Sequence, residues 1–300
     1  MSLPSRVVSI PVEISAWKPA PFAIGGETVF AIGDIHGCAP ELGALLDTVV
    51  LLAREQTGQR RLVYLGDVVD RGPDTIGALR LWAEDAAARS VERIDRIIGN
   101  HEIVMLLTLA GSPHAAKAEA MWLSDGMGGA RVLEEMRQAV GDPRAKPSYH
   151  LAAAALGEKV MRLMLTQRSH LCIGNTVFVH GGLDGGADQE AFLAPPWTSF
   201  TDARWAWITH GFLDWRGGFG GTLVVHGHTP PAKHWRLTHM EDPHLFLHDR
   251  LGLDGGSAVT GFVVGAEIQD GRYRILTAGS PLMTSRNAGP KRSSLASPIP

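Results

Sequence analysis

A chain of 300 residues has room for one large domain or two small ones. Apolar residues make up 45% and charged residues 20%, which is typical of a globular protein that buries a sizeable core. The net charge of −3 gives no reason to expect nucleic acid or an anionic membrane as a partner. Two cysteines, Cys38 and Cys172, are too few for a disulfide framework, and the apolar run around Cys172 predicts a core position.

The two ends of the chain differ in composition from the middle. Residues 1–23 hold no apolar stretch long enough for a signal peptide or a membrane helix, which favours a cytoplasmic protein. The tail is rich in Ser, Pro, Lys and Arg, which predicts disorder. We therefore expect an N-terminal extension over 1–27, one domain over 28–279 and a disordered tail over 280–300.

The first third of the chain alternates short apolar runs with helical patterns. Strands are predicted at 28–32, 61–65 and 94–98. One helix opens at Pro40, where the missing N–H costs nothing, and the next is capped by Asp74 and runs from Thr75 to about Ala88. A further helix follows from Glu102. This alternation is typical of parallel α/β units.

The rest of the chain is predicted to add a helical insert and more strands. The insert covers about 114–170 and is interrupted at Pro143 and Pro147. A hairpin follows over 171–179, with its turn at Gly174 and Asn175. The tryptophan-rich segment 195–215 predicts a loop with short helices. Residues 222–225 predict a strand, and 245–278 predict β structure with turns at 255–256 and 270–271.

Five short polar motifs occur in order, and nearly every one follows a predicted strand. In parallel α/β sheets, ligands lie at the carboxyl ends of the strands, so we expect these motifs to meet in one site. The motifs are Gly33-Asp34-Ile35-His36-Gly37, Gly66-Asp67-Val68-Val69-Asp70-Arg71-Gly72, Gly99-Asn100-His101-Glu102, His180-Gly181-Gly182 and His226-Gly227-His228-Thr229.

Carboxylate, amide and imidazole groups in these motifs suffice for two divalent metals about 3.5–4 Å apart. Asp34 and His36 share one face of an extended chain and would bind one metal together with Asp67, the candidate to bridge both metals. The predicted ligands that complete the second site are Asn100, His180 and His228. This mixed set predicts Mn, with Fe or Zn as alternatives, rather than Mg or Ca.

The remaining motif residues suit catalysis and substrate binding. His101 neighbours Asn100 and points elsewhere, so it could protonate the leaving oxygen. Asp70 could accept a hydrogen bond from His101, and Arg71 could donate two hydrogen bonds to phosphate oxygens. Asn100 and His226 are further candidates for substrate contact. For His226, a packed and hydrogen-bonded core position is an equally weighted alternative.

Other polar or aromatic residues have structural interpretations. Glu102 is interpreted as a charge at a helix N-terminus rather than as a catalyst. The histidines from His234 to His248 have no spacing typical of a metal site. The tryptophans at 197, 205, 207 and 215 are expected to pack, and would matter for function if the substrate were a nucleotide.

These motifs resemble those of the calcineurin-like metallophosphoesterases, and more narrowly the phosphoprotein phosphatase branch in its compact bacterial form. The resemblance covers about Val29 to Asp254 and includes a downstream Leu253-Asp254-Gly255-Gly256 similar to the family's Asp-Thr-Gly. It implies a four-layer α/β/β/α sandwich of two mixed sheets with a dinuclear metal site at the strand ends. It also implies direct attack on phosphorus by a metal-bridging hydroxide, without a phosphoenzyme.

The resemblance implies the same residue roles as the chemistry above. The family's six metal ligands correspond to the Asp34, His36, Asp67, Asn100, His180 and His228 positions. The proton-donor pair corresponds to His101 and Asp70, and the phosphate contact to Arg71.

The chain departs from family patterns at three places. Pro230 stands where many superfamily members have a second histidine, which the phosphoprotein phosphatase branch also lacks. The bacterial Trp-x-Arg is Trp207-Ile208-Thr209 here, and the candidates to replace its arginine are Arg204, His210 and Arg216. Symmetrical dinucleoside tetraphosphatases usually carry Ala-Arg-Gly and Asn-His-Asp where this chain has Asp70-Arg71-Gly72 and Asn100-His101-Glu102.

The sequence thus predicts a serine/threonine protein phosphatase-like phosphomonoesterase that acts on a phosphorylated protein or a small phosphoester. The alternative is a hydrolase of dinucleoside polyphosphates or other nucleotides, because the Trp-x-Arg arginine is missing and tryptophans are abundant. A non-catalytic phosphate-binding protein ranks last, because such proteins usually lose ligands and this chain retains all six.

Overall fold

A computed structural model of the chain describes residues 9–233, 245–246 and 249–280. The strands are β1 Val12–Ile14, β2 Lys18–Pro19, β3 Thr28–Ile32, β4 Arg60–Tyr64, β5 Arg93–Arg96, β6 His170–Ile173, β7 Thr176–Val179, β8 Leu223–His226, β9 Leu245–Phe246, β10 Arg250–Gly252, β11 Phe262–Gln269 and β12 Arg272–Gly279. The helices are α1 Ala39–Glu55, α2 Thr75–Trp82, α3 Asn100–Leu109, α4 Ala115–Trp122, α5 Gly129–Val140, α6 Tyr149–Leu156, α7 Glu158–Leu165, α8 Gln189–Leu193, α9 His210–Leu213 and α10 Ser257–Thr260.

The strands form two mixed sheets. The first has the order β1-β12-β11-β3-β4-β5, with β2 also paired to β12. Strands β3, β4 and β5 run parallel, whereas β11 and β12 are antiparallel to their neighbours. The second has the order β6-β7-β8-β10-β9, and β7, β8 and β10 run parallel within it. Each sheet therefore brings the carboxyl ends of three parallel strands to one edge.

Alternation of side chains along the strands builds the layers, because successive residues face opposite sides of a sheet. The first sheet packs under α1 through Phe30, Ile32, Leu62 and Tyr64. Its other face packs against the second sheet through Val29, Ala31, Val63, Leu65, Val225, Leu251 and Leu253. The outer face of the second sheet packs near α8 and α9 through Val177, Val179, Val224, Phe192 and Phe212. The predicted α/β/β/α sandwich is confirmed.

One predicted helix is shorter than expected. The helix predicted over Thr75 to Ala88 ends at Trp82, and a separate 3-10 turn covers Ala86–Arg89. The guanidinium of Arg96, on β5, donates hydrogen bonds to the carbonyl oxygens of Trp82 and Glu84. These carbonyls lie at and just beyond the end of the helix, where cationic side chains commonly bind. A partner distant in sequence therefore fixes this helix end.

The predicted insert contains four helices, α4 to α7, and Pro143 and Pro147 lie between α5 and α6. The segment predicted as an N-terminal extension contributes β1 and β2, which pair with β12. The limits 1–27, 28–279 and 280–300 remain a prediction. The predicted core position of Cys172 is wrong, because this residue lies exposed on β6, the edge strand of the second sheet.

The histidines from His234 to His248 and the tail over 281–300 lie outside the described residues. In the part of the chain that is described, none of the helices has both the length and the apolar character needed to cross a bilayer.

Helix α1 offers a test of the packing under the first sheet. Leu45 is fully buried, whereas Leu51 on the same helix is 63% exposed. We expect Leu45→Ala to lower the free energy of unfolding by about 2–5 kcal/mol, because it leaves a cavity in the core. The control Leu51→Ala should change it by less than about 0.5 kcal/mol. Urea denaturation measures both values, and equal losses in the two variants would contradict this packing.

Candidate metal centre

The five motifs meet where the carboxyl ends of the parallel strands of both sheets lie side by side. Asp34, Asp67 and Asn100 follow β3, β4 and β5 in the first sheet. His180 follows β7, and His228 lies two residues beyond β8 in the second sheet. Hydrogen bonds join the loops after β3 and β4, since the N–H groups of Ile35 and His36 both donate to the carbonyl oxygen of Asp67.

Asp67 lies between two clusters of potential ligands. Its Oδ2 is 3.7 Å from Nε2 of His36 and 3.8 Å from Nε2 of His101, whereas its Oδ1 is 3.3 Å from Nε2 of His180. One cluster with the dimensions of a metal site holds His36, Asp67 and His101, and a second holds Asp67, His180 and His228. The shared carboxylate has the placement that a bridging ligand needs.

Backbone carbonyls orient the histidines, as is typical of metal-binding imidazoles. Nδ1 of His36 lies 2.8 Å from the carbonyl oxygen of Val69, and Nδ1 of His180 lies 2.8 Å from that of Leu65. If Nδ1 carries the proton in each ring, Nε2 keeps its lone pair toward Asp67. Nε2 of His228 lies 3.3 Å from the carbonyl oxygen of Trp207, which leaves Nδ1 of that ring as the candidate ligand.

Acceptor oxygens surround His180, and a positive charge placed among them would be stabilised. Nε2 of His180 faces Oδ1 of Asn100 at 3.0 Å as well as Asp67. Burial lowers the pKa of this ring, but the carboxylates of Asp67, Asp34 and Glu102 together outweigh that effect and raise the pKa to about 10. Either a proton on His180 or a bound cation satisfies these acceptor oxygens, so the donor set fits a divalent metal.

Asp34 gives a second indication that cations fit this site. Its Oδ1 accepts the backbone N–H of His228, but its buried Oδ2 has no hydrogen-bond partner among the described residues. This oxygen lies 3.9 Å from Nε2 of His36. Burial and the nearby Asp254 carboxylate hold the pKa of Asp34 well above its ordinary value. A buried carboxylate oxygen without a donor is costly, and a metal ion would remove that cost.

Glu102 has a structural role in the site. Its Oε1 accepts the backbone N–H groups of Val68 and Val69, and its Oε2 accepts those of Asp67 and Gly99. The predicted position at a helix N-terminus is confirmed, because α3 begins at Asn100. The carboxylate also links the loops after β4 and β5, a role that no local pattern predicts.

Several residues of the site have a left-handed backbone conformation, which residues other than glycine rarely adopt. In the described part of the chain, six residues other than glycine have positive φ, and five of them are predicted site residues. These five are His36, Asp67, Asp70, Arg71 and His228, with φ between 44° and 71°. Such residues cost about 1–3 kcal/mol each and cluster at functional sites.

His101 has the surroundings expected of a proton donor. Its Nδ1 lies 2.8 Å from Oδ2 of Asp70, and its Nε2 faces Asp67. Oδ1 of Asp70 accepts the indole N–H of Trp122 at 2.9 Å. Burial raises the pKa of Asp70, while the hydrogen bond from His101 opposes the shift. Trp122, which lies at the end of α4, belongs to no motif and was not among the predicted site residues.

Two clefts meet at Arg71. The smaller, of about 180 Å³, is lined by Asp67, Asn100, His101, His210 and Lys233 among others. Of the three candidates to replace the missing arginine, His210 lines this cleft, whereas Arg204 pairs with Asp184. Lys233 was not predicted, because a single lysine carries no sequence signal.

The larger cleft has a volume of about 680 Å³ and shares Arg71 and Lys233 with the smaller one. Apolar side chains from α10 and β11 form much of its wall, including Val259, Phe262 and Val264. Arg71 itself donates to Nε2 of His36 at 2.7 Å.

His226, a predicted substrate contact, lies elsewhere. It is 2% exposed and is absent from the lining of both clefts. Its ring packs edge-on against Phe212, and its Nδ1 lies 2.9 Å from the carbonyl oxygen of Gly227. Burial lowers its pKa to about 4. This geometry matches the packed, hydrogen-bonded alternative.

Replacing Glu102 tests whether it holds the two loops together. In Glu102→Gln one pair of backbone N–H groups would face an amide NH₂, so we expect a loss of about 2–3 kcal/mol in the free energy of unfolding. Mn²⁺ affinity should fall roughly 10–100-fold, because the Asp67 loop loses its support. The exposed Glu190→Gln on α8 is the control. Urea denaturation and calorimetric Mn²⁺ titration measure both effects, and wild-type values for Glu102→Gln would contradict the role.

Parts of the chain are similar in sequence to known proteins. Over 92 residues the chain is 36% identical to a symmetrical bis(5'-nucleosyl)-tetraphosphatase of Janthinobacterium sp. (strain Marseille). The aligned segment covers 30% of each chain. Over 95 residues it is 32% identical to the protein of the same name from Nitrosospira multiformis, covering 31% of this chain and 30% of that one. The chain thus spans less than a third of the length of these relatives.

A serine/threonine protein phosphatase from Saccharomyces cerevisiae has a similar structure, with 13% identity and a TM-score of 0.41 over 85% of this chain and 80% of that one. The sequence model of the family described as calcineurin-like phosphoesterase matches residues 27–255. That match covers strands β3 to β10 and all five motifs. The chain therefore belongs to the calcineurin-like phosphoesterases.

Proposed function

We propose that the chain is a metal-dependent phosphoester hydrolase with two metal sites that share Asp67. The observation that carries this proposal is the position of Asp67, whose two oxygens face different ligand clusters. The proposed ligands are Asp34, His36, Asp67, Asn100, His180 and His228. When bound, two divalent metals hold a phosphate and activate a water for attack.

The ligand chemistry supports Mn, with Fe or Zn as alternatives. The proposed set combines carboxylate, amide and imidazole groups and has no thiolate. Imidazole suits Fe or Zn, and carboxylate and amide oxygens suit Mn, so the mixed set favours these metals over Mg or Ca. The free thiol of Cys38 is buried, and burial raises its pKa to about 11, so this residue has no role in the proposal.

The chain's own residues would bind the phosphate and move a proton. Arg71 lies at the junction of the two clefts and would donate to phosphate oxygens, giving up its hydrogen bond to His36. His101 would donate the proton on its Nε2 to the leaving oxygen as the P–O bond breaks. Asp70 would hold Nδ1 of His101 and stabilise the protonated ring.

Two observations favour a nucleoside polyphosphate as the substrate. The relatives with 36% and 32% identity are both named symmetrical bis(5'-nucleosyl)-tetraphosphatase. The large cleft, with its apolar wall and two cationic side chains, has the size and character of a small-molecule site. A nucleoside could occupy the apolar part while Arg71 and Lys233 contact the phosphates.

A phosphorylated protein is the second candidate, although the sequence motifs placed it first. Asp70-Arg71-Gly72 and Asn100-His101-Glu102 support it through their resemblance to the phosphoprotein phosphatase branch. The bond cleaved differs between the candidates, because a dinucleoside polyphosphate is cut at a phosphoanhydride and a phosphoprotein at a monoester. Turnover of the two substrates therefore decides between them.

The test is Mn-dependent hydrolysis of diadenosine tetraphosphate and of a phosphothreonine peptide by the full chain. We expect turnover of the dinucleotide to exceed that of the peptide. Asp67→Asn should lower turnover more than about 100-fold, since loss of an outer-shell partner alone costs roughly 10–100-fold. The exposed Asp47→Asn on α1 is the matched control and should behave as the wild type. Full activity of Asp67→Asn, or of protein freed of metal by a chelator, would overturn the proposal.

A further inference from the structure

The carboxylate of Asp70 is held from two sides. Its Oδ2 lies 2.8 Å from Nδ1 of His101, and its Oδ1 accepts the indole N–H of Trp122 at 2.9 Å. Asp70, His101 and Trp122 are all buried. Because the indole nitrogen can only donate, Trp122 must pair with an oxygen of Asp70 in this position.

The second hydrogen bond restricts the rotation of the carboxylate. Asp70 lies on a strained loop with φ of 71°, and a single hydrogen bond to His101 would leave its other oxygen buried without a partner. Trp122 satisfies that oxygen and fixes which one faces His101. The ring of His101 is thereby oriented with Nε2 toward Asp67 and the smaller cleft.

The turn between α4 and α5 is shaped around these contacts. A Cβ on Gly129 would lie 2.2 Å from the ring of Trp122, so only glycine leaves room for the indole. A Cβ on Gly128 would lie 2.9 Å from the backbone nitrogen of Arg71. The carbonyl oxygen of Gly126 accepts a hydrogen bond from Arg71 at 3.3 Å. The helical insert therefore contacts both Asp70 and Arg71.

The geometry points to Trp122 as a positioning residue for proton donation. Resting on the proposed function, this inference assigns to α4 and to the turn before α5 the task of holding Asp70, so that His101 presents Nε2 to the leaving oxygen. As the P–O bond breaks, its electron pair goes to that oxygen, which takes the proton from Nε2. This part of the insert then supports the loop after β4, which carries Asp70 and Arg71.

Leaving groups of different basicity separate this role from general support of the fold. 2,4-Dinitrophenolate leaves without a proton, whereas phenolate needs one. Proton donation contributes roughly 10²–10⁴-fold to such reactions, so we expect Trp122→Phe to lower kcat for phenyl phosphate by about 10-fold or more. For 2,4-dinitrophenyl phosphate the same variant should stay within about 2-fold of the wild type, because no proton is required.

Trp82→Phe is the matched control. Trp82 is also buried, but its indole nitrogen has no hydrogen-bond partner within the described ranges. The two substitutions remove the same atoms from the core, so Trp82→Phe should leave the ratio of the two kcat values unchanged. An equal loss for both substrates in Trp122→Phe, or no loss in either, would overturn the inference.

Gly129→Ala is a second variant in case Trp122→Phe does not fold. Its methyl group would displace the indole without removing it, and we expect the same selective loss for phenyl phosphate. An Asp70→Asn variant gives a readout independent of activity, since it should shift the indole N–H resonance of Trp122 in a ¹H–¹⁵N spectrum. If the wild type hydrolyses neither aryl phosphate, nor diadenosine tetraphosphate, nor the phosphothreonine peptide, the proposed function fails, whereas an unmoved indole resonance contradicts the inference alone.

Discussion

Four backbone N–H groups converge on the carboxylate of Glu102, and the rest of the site depends on this arrangement. Three of them belong to the loop after β4 and one to the loop after β5. The two loops would otherwise be joined mainly through the side chains they present to the site. With both loops fixed to one buried side chain, Asp67 and Asn100 are held in place, which prepares these two proposed ligands before a metal binds.

Hydrogen-bond donors divide the buried carboxylates of the site into two kinds. Glu102 and Asp70 have protein donors on both oxygens. Asp34 and Asp67 have backbone donors on one oxygen, and the other oxygen of each faces histidine nitrogens without a hydrogen bond. The first kind maintains the architecture, and in the proposed function the second provides charge for cations. All four carboxylates are buried, so the exposed fraction of the side chain does not distinguish the two kinds.

Local pattern predicted the strands from β3 onward, the order of the motifs and their meeting at the strand ends, because alternation and turn residues act over a few positions. Features set by distant partners were missed. Helix α2 ends at Trp82 because Arg96 binds its last carbonyls, and Trp122 reaches Asp70 across 52 residues of chain. For His226 the sequence left a packed position and a substrate contact equally open, and the packing between α9 and β8 places its ring against Phe212. The family match supports the fold and the hydrolytic class, and the substrate depends on clefts that motifs do not describe.

The positive φ angles of His36, Asp67, Asp70, Arg71 and His228 have a consequence for the evolution of the chain. At each of these positions a glycine would relieve the backbone strain. The same substitution would remove a side chain that is proposed to bind metal, phosphate or the catalytic histidine. Packing in the core of the sandwich must compensate for the stability that is lost through strain in these loops. Selection of this chain for heat resistance alone, without a demand for activity, would therefore tend to erase the site before it altered the sheets.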